Sequence, residues 1–137
     1  MHCVRAYGHL ADLFRALPPD AVPPRIMLHA FGGDVQVIQQ FTKMPRIGDR
    51  FYFSFSTAIS AKGGVAGAAK MRARMAAVPA DRLLLESDQS TPLALDAGVQ
   101  AALRAAMEAR GWTAAQAAEA TWRNYRVFFD GSLPPGE

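Results

Sequence analysis

The chain has little cysteine and no long apolar run. Cys3 is the single cysteine among its 137 residues, so no disulfide can form within one chain, which fits a reducing compartment. The N-terminus has no charged segment followed by an apolar one, as a secretory leader would have. No uninterrupted apolar stretch reaches the roughly 18 residues that a membrane span needs. We therefore expect a soluble protein of the cytoplasm or nucleus, with no membrane contact.

A strong excess of charge is also missing. The sequence has 15 Lys and Arg residues against 12 Asp and Glu residues, which gives a formal net charge of +3. This excess permits an anionic substrate but is too small to establish a nucleic-acid surface. Hydrophobic residues make up 50% of the chain, which is enough to fill the core of one domain. No linker or low-complexity segment divides the sequence.

What the sequence does contain is an alternation of short apolar runs with longer amphipathic ones. This alternation is typical of parallel strands joined by crossover helices. It predicts strands at 25–30, 50–56 and 83–87, preceded by a strand stump at 2–4. It also predicts helices at 6–17, 67–78 and 96–110, one helix that Asp34 caps, and a last helix that opens with the capping box of Thr113 and Gln116. Residues 61–64 are expected to form a flexible connection and residues 131–137 a flexible tail.

Apolar residues recur at helical spacing on the last two helices, which predicts that these faces pack. The aligned residues are Val99, Leu103 and Met107 in one helix and Ala118, Trp122, Tyr125 and Phe129 in the other. On this interpretation Trp122 is a packing anchor rather than a platform for stacking bases. In the strand at 50–56 the period is two, so that Phe51, Phe53 and Phe55 lie on one face and Tyr52, Ser54 and Ser56 on the other.

Histidines and carboxylates stand where the predicted strands end. Glu86 and Asp88 close the last predicted strand. His29 closes the apolar run 25–28 in the same way, and His2 lies in the N-terminal stump. The carboxyl ends of parallel strands carry the loops that bind and react. Since imidazole and carboxylate are ligands for zinc, manganese and similar divalent ions, His2, His29 and Asp88 are candidate ligands. The alternatives are that His2 lies in a loose terminus and that His29 is a hydrogen-bonded core histidine.

Five sequence blocks, in this order, resemble the TatD-related metal-dependent hydrolases. The blocks are HCVRA at 2–6, LHAFGG at 28–33, YFSFS at 52–56, PADRLLLESD at 79–88, and the segment 117–129 with Asn124. The first block is similar to the eukaryotic branch of that family that includes the Cut9-interacting protein. The resemblance covers nearly the whole chain. It implies a TIM barrel with a divalent-metal centre, in a family whose characterised members are deoxyribonucleases.

Carried over residue by residue, the resemblance implies a centre of two divalent ions, which would be Mg, Mn or Zn. His2 and His29 would bind one ion, and Asp88, as a catalytic residue, would belong to the other. Arg5 would contact the substrate phosphate through its planar guanidinium. Glu86 would support the ligands without binding an ion itself. The implied substrate is DNA or another phosphoester.

The resemblance also implies that part of the centre is missing from this sequence. The family's His-x-His pair and metal-bridging glutamate precede the block that begins at His2. We therefore expect residues 1–130 to form an α/β fold, the C-terminal half of a TIM (β/α)8 barrel, with about four parallel strands and their helices. The alternative is that Met1 is the true start and that a small open sheet suffices. A two-ion site with three ligands is expected to catalyse poorly unless another polypeptide completes it.

Two functions of different class remain open at this stage. The first is metal-dependent hydrolysis of phosphodiester bonds, deoxyribonuclease-like, which accounts for His2, His29 and Asp88. The second is a non-catalytic hydrolase remnant that binds a protein partner or nucleic acid through its open sheet edge. A third possibility is an incomplete gene product, of which the full-length protein would be the enzyme.

Overall fold

A computed structural model of the chain describes residues 1–131. Its strands are β1 (Ile26–Leu28), β2 (Phe51–Phe55) and β3 (Leu83–Leu85). Its helices are α1 (Tyr7–Ala16), α2 (Val35–Thr42), α3 (Thr57–Ser60), α4 (Gly64–Ala77), α5 (Leu95–Arg110) and α6 (Ala114–Asp130), with short 3-10 turns at Pro19–Ala21, Gly48–Arg50, Ala80–Arg82 and Pro92–Ala94. From residue 132 onward, the predicted flexible tail lies outside the described residues. Among residues 1–131, no helix combines the length and apolarity needed to cross a membrane.

The three strands are parallel and lie in the order β1-β2-β3. Phe53 in the central strand pairs with Leu28 on one side and with Leu83 on the other. At the free edge of β1, His2 forms an isolated parallel bridge with His29. With this bridge the sheet has four parallel positions. The architecture confirms the predicted α/β class and is consistent with part of a TIM barrel.

The strands are shorter than the sequence pattern predicts. β1 ends at Leu28 rather than at residue 30, and β3 ends at Leu85 rather than at residue 87. At β1 the reason is the local backbone, because Ala30 has φ 46°, a left-handed conformation that strands do not contain. After β3 the Glu86 amide still donates to the Phe55 carbonyl, and the left-handed turn comes three residues after the strand, at Asp88 with φ 49°.

The connection that follows β2 is more regular than predicted. Of the expected flexible segment 61–64, only residues 61–63 lie between helices, because α4 begins at Gly64 rather than at residue 67. The short helix α3 precedes them, and the Ser56 hydroxyl accepts a hydrogen bond from the Ile59 amide at its start. Gly63 provides the left-handed turn between the two helices, with φ 105°.

Phenylalanines fill the core on one face of the sheet. Phe51, Phe53 and Phe55 are all buried in a single hydrophobic cluster, as the period-two alternation predicts. Phe14 from α1 meets Phe51 edge-on at a ring distance of 5.1 Å, and Phe31 meets Phe53 at 5.1 Å. Such aromatic pairs add about 0.5–1.5 kcal/mol beyond the area that they bury. This packing fixes the positions of the strand ends.

Helix α5 buries a different face from the predicted one. Gly98, Ala102 and Ala106 are buried, whereas Val99 is 44% exposed. The small residues let the helix approach closely, since a Cβ on Gly98 would lie 2.9 Å from the Cβ of Ser87. The prediction for the Val99 face was wrong because apolar periodicity weighs large side chains and overlooks a stripe of Ala and Gly.

Helix α6 begins as predicted but leaves its aromatic face open. Thr113 accepts a hydrogen bond from the Gln116 amide, and the Gln116 side chain accepts one from the Thr113 amide, which completes the capping box. Trp122, Tyr125 and Phe129 are 55%, 45% and 55% exposed. The interpretation of Trp122 as a packing anchor is therefore wrong for the described chain, where its ring stacks on Tyr125 at the surface.

Candidate metal centre at the carboxyl edge of the sheet

The carboxyl edge of the sheet brings His29, Glu86 and Asp88 together. One possible ligand atom from each of them lies within 4.8 Å of the others. His29 Nδ1 is 2.7 Å from Glu86 Oε2, and His29 Nε2 is 3.9 Å from Asp88 Oδ2. The histidine follows β1 and the two acids follow β3, so the group forms only because β2 holds these strands in register. The three residues come from two of the sequence blocks that suggested a metal site.

Glu86 is the most constrained member of the group. Its Oε1 accepts a hydrogen bond from the Ala30 amide at 2.9 Å. Its Oε2 accepts one from the Ser54 hydroxyl at 2.8 Å and contacts His29 Nδ1. A neutral His29 that donates Nδ1–H to Glu86 has its lone pair on Nε2, on the side of Asp88. Glu86 therefore orients the imidazole, and both of its oxygens are already used.

Left-handed backbone conformations are concentrated at this edge. Among residues 1–131, four non-glycine residues have positive φ, and three of them, Arg5 (57°), Ala30 (46°) and Asp88 (49°), follow strand positions next to the site. Such conformations cost about 1–3 kcal/mol each and persist where the surrounding structure fixes them, which is common at functional sites. In this protein they aim the side chains that follow the strands across the end of the sheet.

His2 lies beside this group without joining it. Its ring is 5.7 Å from the His29 ring between centroids, tilted by 50°. It is exposed and does not belong to the set of His29, Glu86 and Asp88. His2, His29 and Asp88 are the ligands predicted from the sequence, whereas the structure clusters Glu86 with the last two. The role of His2 as a ligand stays a prediction.

The donor set fits a divalent cation. His29 Nε2 and the Asp88 carboxylate face each other, and imidazole with carboxylate is a ligand combination used for zinc and manganese. Only these donors and Glu86 converge within residues 1–131, whereas a closed tetrahedral site has four ligands. The described residues therefore form a group that could hold a metal ion in part.

Two residues near the centre were not selected from the sequence. Ser54 is buried and bonds both Glu86 and the Ala30 amide, whose nitrogen is 3.2 Å from Ser54 Oγ. The signal for Ser54 was its place as a polar residue in an otherwise aromatic strand. Tyr7 accepts a hydrogen bond from the Gly32 amide at 3.2 Å, and a tyrosine in a helix gave no such signal. Arg5 lines a cavity beside the centre together with Tyr7.

The chain is similar to known proteins over most of its length. The profile described as TatD related DNase matches residues 1–130. The Cut9-interacting protein scn1 of Schizosaccharomyces pombe (strain 972 / ATCC 24843) is 33% identical over 91 residues, which is 66% of this chain and 25% of the relative. The aligned part thus spans about a quarter of that relative's length.

Proposed function

The chain belongs to the TatD related DNase family, and from that premise we propose that it takes part in metal-dependent hydrolysis of phosphodiester bonds, with DNA as substrate. The observation that carries this proposal is the facing pair of His29 Nε2 and Asp88 Oδ2, 3.9 Å apart. Since this pair lies at the carboxyl edge of a parallel sheet, it occupies the place where barrel enzymes bind and react. Residence in the cytoplasm or nucleus stays a prediction.

Each residue of the site has a distinct part in the proposal. His29 and Asp88 would hold a divalent ion, Mg, Mn or Zn, and His2 would add a second imidazole. Two such ions are proposed for the complete site. The ion, when bound, supplies Lewis-acid activation of water and of a phosphoryl oxygen. Glu86 keeps the His29 ring in place through its own hydrogen bonds, and Arg5 would contact the substrate phosphate.

The proposal includes weak catalysis by the chain alone. A catalytic zinc centre uses about three protein ligands and an open position. The described residues bring three possible ligands together, and one of them, Glu86, is already engaged by Ala30 and Ser54. Two ions would need more ligands than these three residues supply. We therefore propose that the 137-residue chain alone cleaves DNA slowly or not at all.

Calorimetric titration with Zn²⁺ or Mn²⁺ tests the metal centre. The wild-type chain should bind the ion weakly, and His29→Ala should remove that binding. His9→Ala is the matched control, because His9 is exposed on α1 and outside the His29 group. It should leave the affinity unchanged. Equal affinity of His29→Ala and wild type would remove His29 from the site and with it the proposed function.

A second candidate function is an interaction module without catalysis, and one surface favours it. Within residues 1–131 one edge of β3 has no partner strand, and Leu84 and Leu85 of β3 line an apolar groove of about 440 Å³ that also includes Met27 of β1. Its lining includes Leu85, Val99 and Trp122, and the last two are largely exposed. An unpaired parallel strand beside an exposed apolar face is a surface that proteins normally cover.

A second copy of the chain is the occupant that fits this groove. The opposite edge of the sheet also exposes apolar side chains, since Met1, Val4 and Leu13 are each more than half exposed. If β3 of each copy lay beside the His2 segment of the other, both edges would be covered by two equivalent contacts related by a twofold axis. The four parallel positions of each copy would then make the eight of a closed barrel.

Light scattering after size exclusion tests this second candidate. The wild-type chain should have twice its mass of 14.8 kDa, and Trp122→Glu should reduce it to one copy. Val65→Glu is the control, because Val65 is 86% exposed on α4 and does not line the groove. A monomeric wild type would contradict the candidate. Metal-dependent hydrolysis by the dimer would contradict its non-catalytic nature and return the site to the first proposal.

A further inference from the structure

A second concave surface adjoins the metal centre on the side of His2. It has a volume of about 640 Å³ and lies between the N-terminal segment, the start of α2 and the region where α3 meets α4. Ala30 lines it, and the same residue donates its amide hydrogen to Glu86. The cavity and the metal centre therefore share a wall. Its further lining residues include Cys3, Gly32, Gly33, Val37 and Ile59.

Basic side chains dominate the charge of this cavity. Arg5, Lys62 and Arg74 all line it, and within residues 1–131 none of them forms an ion pair. Arg74 Nη1 donates to the Ser60 carbonyl at 3.4 Å, which leaves its charge uncompensated. The acid in the lining is Asp34, whose carboxylate already caps α2 by accepting from the Val37 amide. The cavity thus has an excess of positive charge.

Tyr7, which also lines the cavity, does not reduce this positive charge. Burial raises the pKa of the Tyr7 phenol, so Tyr7 stays protonated and uncharged at neutral pH. Its hydroxyl oxygen accepts a hydrogen bond from the Gly32 amide, which fixes the ring at the cavity wall. The walls therefore add no second negative charge near Arg74. A concave site that is lined by several basic side chains without acidic partners is suited to bind an anion.

We propose that this cavity binds a phosphate of a nucleic-acid strand next to the phosphate at the metal centre, with Lys62 and Arg74 as contacts beside Arg5. The proposal deepens the proposed function and rests on it for the place of the neighbouring phosphate. If the metal centre and the cavity each bind one phosphate, their shared wall at Ala30 suits two linked phosphates. The structure therefore favours an oligonucleotide over a phosphomonoester, and Lys62 and Arg74 are assigned to substrate binding.

Binding of a labelled single strand tests the cavity apart from the metal chemistry. A fluorescein-labelled thymidine 12-mer is titrated with the whole chain in EDTA, and anisotropy is followed between 50 and 200 mM salt. For single strands each phosphate contact contributes about 0.7 to the slope of log K against log salt. The double variant Lys62→Gln, Arg74→Gln should lower this slope by about 1.4 and weaken binding about 25-fold at 0.1 M salt.

A charge-matched control separates the cavity from the general charge of the protein. Lys70→Gln, Arg104→Gln removes the same charge from exposed positions on α4 and α5 that do not line the cavity. It should change the slope by less than half as much. An equal loss in the two double variants, or no loss in the cavity variant, would overturn the proposal. Displacement of the 12-mer by inorganic phosphate at the same phosphate concentration would overturn the assignment to a nucleic-acid strand.

Metal titration of the same variants distinguishes this inference from the proposed function. The cavity variant should bind Zn²⁺ as wild type does, whereas His29→Ala should lose Zn²⁺ and keep the 12-mer in EDTA. If His29→Ala retains Zn²⁺ while the cavity variant loses the 12-mer, the metal proposal fails and the cavity assignment stands. If the reverse pattern is found, the cavity assignment fails and the metal centre stands.

Discussion

Replacing Glu86 by glutamine should weaken both the fold and the metal centre. The side chain is 17% exposed, and its oxygens contact Ala30 N, Ser54 Oγ and His29 Nδ1. Glutamine keeps the shape, but its NH₂ group cannot accept a hydrogen bond. If the amide oxygen stays near Ser54 and His29, the NH₂ group faces the Ala30 amide, donor against donor. In the opposite orientation, Ser54 and His29 lose their acceptor.

At least one hydrogen bond to a charged acceptor is lost in either orientation of the glutamine side chain. That loss costs about 1.5–3 kcal/mol of unfolding free energy, which urea unfolding followed by circular dichroism measures. A His29 ring that is no longer held should also bind Zn²⁺ about 10- to 100-fold more weakly. Calorimetry on the same samples measures this affinity.

Glu108→Gln is the matched control for this substitution. Glu108 is 63% exposed and pairs with Arg72 at 3.4 Å, a surface ion pair worth about 1 kcal/mol or less. This variant should keep its metal affinity. If Glu86→Gln is as stable as Glu108→Gln and binds Zn²⁺ equally well, Glu86 does not orient His29 as described.

Three further substitutions test how the elements around the centre are held. Asn124→Ala removes an amide that donates to the Ala80 and Leu83 carbonyls at 2.8 Å each. Urea unfolding should therefore show that the unfolding free energy falls by about 1–3 kcal/mol. An equal fall in Gln100→Ala, a control at an exposed position, would contradict this. Gly98→Ala would bring a Cβ to 2.9 Å from Ser87 Cβ, so it should destabilise by about 1–3 kcal/mol and weaken Zn²⁺ binding through the neighbouring Asp88. Gly8→Ala, with no atom near the added Cβ, should instead stabilise α1 by about 0.5–1 kcal/mol in the same assay. Thr113→Ala should cost about 0.5–2 kcal/mol, because it removes the acceptor of the Gln116 amide, and an unchanged urea midpoint would show that the capping box adds nothing.

The parallel sheet and its functional edge were predictable because both depend on local patterns. Short apolar runs separated by helix-length segments predict parallel strands, and a polar residue that closes such a run must lie at the carboxyl edge. For that reason His2, His29, Glu86 and Asp88 could be assigned from the sequence to one edge of the sheet, whereas the grouping of Glu86 with His29 and Asp88 apart from His2 could not. The family resemblance added roles to these residues, and the profile match over residues 1–130 confirmed the family.

The features that the sequence did not reveal depend on tertiary contacts. Helix α5 buries Ala102 rather than Val99, and it approaches Ser87 closely at Gly98. The periodicity of large apolar residues does not predict how closely a helix approaches its neighbours. Trp122, Tyr125 and Phe129 have the spacing of a core face in the sequence, but their exposure depends on which other elements pack against α6, and the local pattern does not contain that information. The hydrogen bonds of Ser54 likewise depend on tertiary structure, because Ala30 follows β1 and Glu86 follows β3, and both strands must be aligned with β2.

Asp88 and His29 are proposed to hold a divalent ion at the end of the sheet. Electron paramagnetic resonance of Mn²⁺ measures this directly, because free hydrated Mn²⁺ gives a sharp signal that is lost on binding. The wild-type chain should remove free Mn²⁺, Asp88→Asn should not, and Asp81→Asn should match wild type, since Asp81 is exposed at the opposite end of β3. Equal Mn²⁺ binding by wild type and Asp88→Asn would contradict the account.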